Sequence, residues 1–198
     1  MSLNPDRVRF SVSLFRSVTE KMADDPRVDI LLVDDNPGDV RLISEALEET
    51  EFRPGIRHAK DGFEAMQFLR RQPPFENAPK PAIILLDLNL PRKDGRAVLA
   101  EIKSDSSLAS IPVIVFSGSD APQDISACYA LHANSYIVKP RDLTGLTETV
   151  ECLTRFWLGC VTLPPDSGPR TWSSSGASRG FPARNCAGRP IASWRNAA

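Results

Sequence analysis

The 198 residues are 41% hydrophobic and 25% charged with a formal net charge of −1, a balance that fits one packed core with extensions and excludes a chain too polar to fold. No apolar run approaches the roughly 20 residues of a membrane helix; the longest occupy residues 30–33 and 82–86. The net charge hides an asymmetry, because the residues after Asp166 hold five arginines and no acid, leaving 19 basic against 25 acidic residues before them, a balance of −6.

At the start, Arg7, Arg9 and Arg16 flank "FSVSLF", which is too short and too polar for a secretory core and is followed by no small-residue cleavage site. Met22 opens a second plausible beginning, so residues 1–26 are expected to be an N-terminal extension. The first buried run, "VDILLV", ends at Asp34. "NPGDVRLISEALEET" then places Val40, Ile43 and Leu47 on one helical face with acids near the start. "GIRHA" is a short strand, and "DGFEAMQFLRRQ" spaces Phe63, Met66 and Leu69 three apart behind Asp61, an expected N-cap. "QPPFENAPKP" breaks the helix into a loop.

"AIILLD" is continuously apolar over a strand's length, as in a parallel sheet covered on both faces. "DGRAVLAEIKSD" is a helix with Val98, Leu99 and Ile102 inward, and "IPVIVF" is a β-branched strand. "PQDISACYALHA" is a helix with Ile125, Cys128 and Leu131 inward, and "SYIV" is the last strand. From about Asp142 a final helix spaces Leu143, Leu146, Val150, Leu153 and Trp157 by 3, 4, 3 and 4. Five strand-then-helix units predict a doubly wound α/β domain over residues 27–160. Residues 161–198, rich in Gly, Ser, Pro and Arg, read as a disordered tail. The cysteines Cys128, Cys152, Cys160 and Cys186 form no CxxC pair, and His58 and His132 stand alone, so reduced thiols of a cytoplasmic protein are expected rather than disulfides or zinc.

In such sheets, ligand groups collect beyond the carboxyl ends of the strands. Asp34 and Asp35 lie past strand one, Asp87 past strand three, Ser117 at the end of strand four and Lys139 past strand five. Singly, each is an ordinary turn or surface residue; their joint placement at four strand ends is what points to a site. Carboxylates in one cleft repel by about 4 kcal/mol per pair at ~4 Å. A hard divalent ion on Asp34, Asp35 and Asp87 would offset this, and Mg2+ is the cellular default for carboxylates that also meet a phosphoryl group. Lys139 adds a cation on a long stem and Ser117 a hydroxyl donor. One carboxylate can then attack phosphorus.

"LLVDDNPGD", "ILLDLNLPRKDG", "PVIVFSGS" and "YIVKP" resemble, in order and position, the motif set of the bacterial response-regulator receiver domain (CheY-like). "DDNPGDVRLISEAL", "DLNLPRKDGRAVLAEIKSD" and the late "RFWL" are similar to the small single-domain regulators of bacterial, especially cyanobacterial, phytochromes. That resemblance implies a flavodoxin-like five-stranded parallel sheet of order 2-1-3-4-5 with five helices. It also implies a phosphorelay in which Asp87 accepts a phosphoryl group from a sensor histidine kinase, a bacteriophytochrome, with Lys139 and Ser117 completing the chemistry. Asp35 would bind Mg2+ directly, Asp34 through water, and the Asn89 backbone carbonyl would be a further ligand. Ser117 and Tyr136 would be the switch pair, and the Lys139–Pro140 bond, carrying Pro140, would be cis. One departure is "FSGS" where close relatives more often read Thr-Thr-Ser; with Gly118 beside Ser117 the phosphorus is less shielded and a shorter-lived phosphoaspartate is expected.

Phe156 and Trp157 are adjacent and cannot both face one core, so a homodimer through the last helix, with Leu146, Val150, Leu153, Phe156 and Trp157 as candidates, is expected. A rival reading is a phosphatase of the haloacid-dehalogenase type, but its DxD acid falls at Asn89, which removes the general acid. A binding module that is never phosphorylated is a third reading, disfavoured by the complete set of acids, hydroxyl and lysine. No helix-turn-helix follows the domain, so output is expected through protein partners, not nucleic acid or membrane.

Overall fold

The computed structural model describes residues 28–164. The expectations for the N-terminal extension and for the arginine-bearing tail therefore lie outside the described residues, apart from residues 161–164. The apolar runs become strands β1 (Asp29–Val33), β2 (Gly55–Ala59), β3 (Ile83–Leu86), β4 (Val113–Ser117) and β5 (Ser135–Val138). All are parallel, in the order β2-β1-β3-β4-β5. Between them run α1 (Pro37–Glu49), α2 (Gly62–Leu69), α3 (Gly95–Ser104), α4 (Pro122–Ala130) and α5 (Leu143–Thr154), the last passing into a π-helical segment, Arg155–Cys160. This is the doubly wound arrangement expected from the sequence.

The alternation of side chains along each strand divides the core in two. Leu31, Val33, Ile84, Leu86, Val113 and Val115 pack with Met66, Val98, Leu99, Ile102 and Cys128 of α2, α3 and α4. Ile30, Leu32, Ile83, Leu85, Ile114 and Phe116 pack on the other face with Ile43 and Leu47 of α1 and Leu146, Val150 and Leu153 of α5. With both faces covered, β3 can be apolar at every position, and β1 and β4 at all but Asp29 and Ser117 at their ends, which explains their continuous runs. Four helix starts are capped by side chains that accept backbone N–H bonds: Asn36, Asp61, Asp94 and Asp142.

Several expectations are corrected. Leu146, Val150 and Leu153, taken as dimer candidates, are buried in the chain's own core; apolar spacing on one helix face serves this sheet first. Phe63 and Leu143 share the apolar spacing of their helices, yet both are more than half exposed. They occupy the first turns of α2 and α5, where side chains lean toward the helix N-terminus. The packed body also runs beyond residue 160, since Leu163 is buried against the α1 and α5 face. No helix among the described residues is long and apolar enough to cross a membrane.

Candidate functional site

The strands deliver the predicted residues to one end of the sheet. The Asp34 amide donates to the Ala59 carbonyl and the Asp87 amide to the Val33 carbonyl, so both acids continue their ladders one step beyond β1 and β3. The Lys139 amide donates to the Ser117 carbonyl at 2.8 Å, which ties the lysine to the end of β4. From there its ammonium reaches Asp34 Oδ2 at 2.6 Å, Asp87 Oδ2 at 2.8 Å and Asp39 Oδ2 at 2.9 Å.

Asp34 is almost wholly buried, its other oxygen accepting from the Asn36 amide at 2.9 Å. Burial holds its carboxyl above the usual aspartate value despite the help of Lys139, and the neighbouring Asp87 charge pushes the same way. For Lys139, burial works against the charge, but hydrogen bonds to Asp34, Asp87 and Asp39 prevail and hold its pKa well above that of an ordinary lysine. Asp87 Oδ1 accepts from the Asn89 amide at 3.2 Å. His58 Nε2 donates to the Asp34 carbonyl at 2.9 Å, which fixes the tautomer of that ring.

Ser117 is fully buried, and its Oγ has no hydrogen-bond partner among the described residues. A buried hydroxyl left unpaired is costly, and an anionic acceptor arriving at this end of the sheet would relieve it. Behind it, the Tyr136 hydroxyl donates to the Ser119 carbonyl at 2.9 Å, and Ser119 Oγ donates to Asp124 at 2.5 Å, whose carboxylate also takes Arg96 of α3 at 2.5 Å. The two predicted switch residues thus flank one loop.

Asp35 and the Asn89 carbonyl make no hydrogen bond among the described residues, and both residues are exposed. No three acidic, histidine or cysteine side chains form a ready metal cage among the described residues, because Lys139 stands between Asp34 and Asp87. Even so, the donors are all oxygens, and three carboxylates (Asp34, Asp39 and Asp87) share one ammonium, with Asp35 next in the chain, a charge excess that suits a hard divalent cation. Asp39 was not singled out from the sequence. Its signal was the third acid of "DDNPGD", which was read only as a charge favourable to the start of α1.

The expected cis Lys139–Pro140 bond is corrected: the one cis peptide among the described residues is Pro73–Pro74. Lys139 reaches all three carboxylates with the trans bond that X-Pro pairs ordinarily prefer. Of the remaining dimer candidates, Trp157 packs partly against the core while Phe156 is 54% exposed, its ring edge-on to Trp157 at 5.5 Å.

The loop after Asp87 is held from several sides. The Gly95 amide donates to the Leu88 carbonyl, Arg92 pairs with buried Asp61, and Lys93 pairs with Glu101. A Cβ on Gly95 would lie 2.2 Å from the Asp87 carbonyl oxygen, so α3 can start against the end of β3 only with glycine there.

The family model for the response regulator receiver domain matches residues 30–151. Response regulator Rcp1 of Synechocystis is 48% identical over 139 residues, covering 70% of this chain and 94% of that protein. The crystal structure of the phosphorylated cyanobacterial phytochrome response regulator RcpA superposes with a TM-score of 0.68 at 48% identity, covering 70% of this chain and 99% of that one. The Mn2+-bound form of Rcp1 gives a TM-score of 0.67 at 47% identity, with coverage of 70% and 99%.

Proposed function

Since the chain belongs to the response-regulator receiver family of two-component signalling, we propose that it accepts a phosphoryl group on Asp87 from a phosphohistidine of a sensor kinase. An Asp87 oxygen forms the bond to phosphorus as the bond from phosphorus to the histidine nitrogen breaks, and the imidazole keeps the electron pair. The observation that carries this reading is the Lys139 ammonium held between Asp34 and Asp87 at the end of the sheet where the unpartnered Ser117 hydroxyl is buried. Lys139 can exchange its contact with Asp87 Oδ2 for a phosphoryl oxygen, and Ser117 gains an acceptor.

Asp34, Asp35, Asp87 and the Asn89 carbonyl are the groups that would hold Mg2+, which supplies positive charge to offset that of the transferring phosphoryl group. Movement of Ser117 toward the new anion would be felt by the Ser119 carbonyl and hence by Tyr136. The protein would act as a phosphoacceptor and not as a turnover enzyme, and would signal through protein contacts. The relatives named for phytochromes support a light-sensing histidine kinase as its donor. Self-association is proposed through exposed Phe156 and the shallow apolar groove of about 380 Å³ that it lines with Ile137, Cys152 and Trp157; sedimentation showing only monomer at micromolar concentration, with and without a phosphoryl mimic, would refute it.

Incubation with acetyl phosphate and Mg2+, followed by intact mass, tests the central reading. One phosphoryl adduct is expected on the parent and none on Asp87→Asn. An equal adduct on both would place the acceptor elsewhere.

A further inference from the structure

Resting on the phosphoacceptor reading, we infer that Asp39 is a positioning residue of this site: it draws one donor of the Lys139 ammonium away from the Asp34 and Asp87 pair and so loosens the hold against which a divalent cation must compete. An ammonium has three N–H donors, and all three are engaged, by Asp34, Asp87 and Asp39 at 2.6, 2.8 and 2.9 Å. The three acceptors are not equivalent. Asp34 and Asp87 stand at strand ends with side chains 1% and 9% exposed, whereas the Asp39 side chain is 35% exposed.

The place of Asp39 is set independently of the lysine. It lies in the first turn of α1, whose start is fixed by the Asn36 cap and by proline at its beginning. A cation that binds the acid pair needs the oxygens the ammonium now holds, so the two compete. Take away the third acceptor and the third donor turns back to Asp34 and Asp87, which strengthens the competitor. Loss of the Asp39 charge itself acts in the same direction, but it acts whether or not Lys139 is present, so the part of the loss that needs the lysine reports the redirected donor. The coupling therefore runs through Lys139.

The test titrates Mn2+ alone and reads free ion by electron paramagnetic resonance. The proteins are the parent, Asp39→Asn and Asp39→Ser, each with Lys139 and each with Lys139→Met. Replacing Asp39 is expected to weaken Mn2+ binding about fivefold when Lys139 is present and less than about twofold when it is not, a coupling within the range for groups in one ion-pair network. An equal loss in both backgrounds, no loss in either, or a parent that binds no Mn2+ would overturn the inference. Acetyl phosphate labelling of the parent runs alongside. An unlabelled parent defeats the phosphoacceptor reading whatever the ion data show, and a labelled parent without the coupling defeats this inference alone.

Discussion

Replacing Gly95 by alanine sets two physical effects against each other. At the first position of α3, alanine should stabilise by about 0.4–1 kcal/mol through the reduced entropy of the unfolded chain. The packing points the other way, because the added Cβ would lie 2.2 Å from the Asp87 carbonyl oxygen, 2.7 Å from the Leu88 Cα and 3.0 Å from the Asp87 carbonyl carbon. All three neighbours are backbone, so no rotamer change relieves the overlap, and about 1 Å of movement is needed to reach an ordinary contact. The start of α3 resists that movement through Val98, Leu99 and Ile102, which are fully buried against the sheet. Overpacking of this kind costs about 3 kcal/mol, well above the entropic gain. The end of β3 would also yield, carrying Asp87 from its place under Lys139, and an error near 1 Å in a reacting group can cost about 10²-fold in rate. Urea denaturation of Gly95→Ala should show a lower midpoint, and phosphorylation by acetyl phosphate should slow at least tenfold. A midpoint equal to or above the parent's, with unchanged phosphorylation, would refute the contact argument and leave helix propensity as the winner.

Gly118, in contrast, has nothing within 4 Å of where a Cβ would sit, so Gly118→Thr should fold normally and lengthen the life of the phosphoaspartate; equal release rates of phosphate would remove the shielding argument. Lys139 is held above its ordinary value of 10.5, so its contribution is complete below that pH and fades as the pH rises beyond it. The stability difference between the parent and Lys139→Met, from urea midpoints, should therefore be flat from neutral pH to about pH 10 and shrink above it; a difference that grows above pH 10 would contradict the sign. Leu153→Ala should cost about 2–5 kcal/mol with no direct effect on association, whereas Phe156→Ser should leave stability within about 0.5 kcal/mol and abolish any dimer seen by sedimentation. A stable Leu153→Ala variant that is newly monomeric would return that leucine to the interface.

The layering of this domain was open to reading because residues 30–33, 83–86 and 113–116 are apolar without interruption, which a sheet covered on both sides accommodates, and because aspartate or asparagine caps announce four helix starts. Phe63 and Leu143 misled for a shared reason. Spacing tells which residues share a helix face, but not how much of its first turn is covered, and both residues stand in a first turn. The π-helical segment at Arg155–Cys160 was equally hidden, since a 3-4 spacing that ends at Trp157 looks the same whether or not the helix widens. At the site, Asp34, Asp87, Ser117 and Lys139 were legible from strand ends alone. Asp39 was not, because its role depends on the lysine of a strand 100 residues away in sequence folding back over the first turn of α1. Pro140 shows the converse: an expectation carried by resemblance, which the local backbone does not follow.

The bond from the Lys139 amide to the Ser117 carbonyl makes the counter-ion and the hydroxyl parts of one rigid strap. Tyr136, three residues earlier on β5, donates to the Ser119 carbonyl from the other side, so the strap is fastened both to the end of β4 and to the loop that follows it. Because β5 closes the sheet, its outer backbone has no further strand to lean on. On the proposed reading, movement at the acid end would reach this edge of the sheet, where Ile137 of β5 lies beside Cys152 and Leu153 of α5.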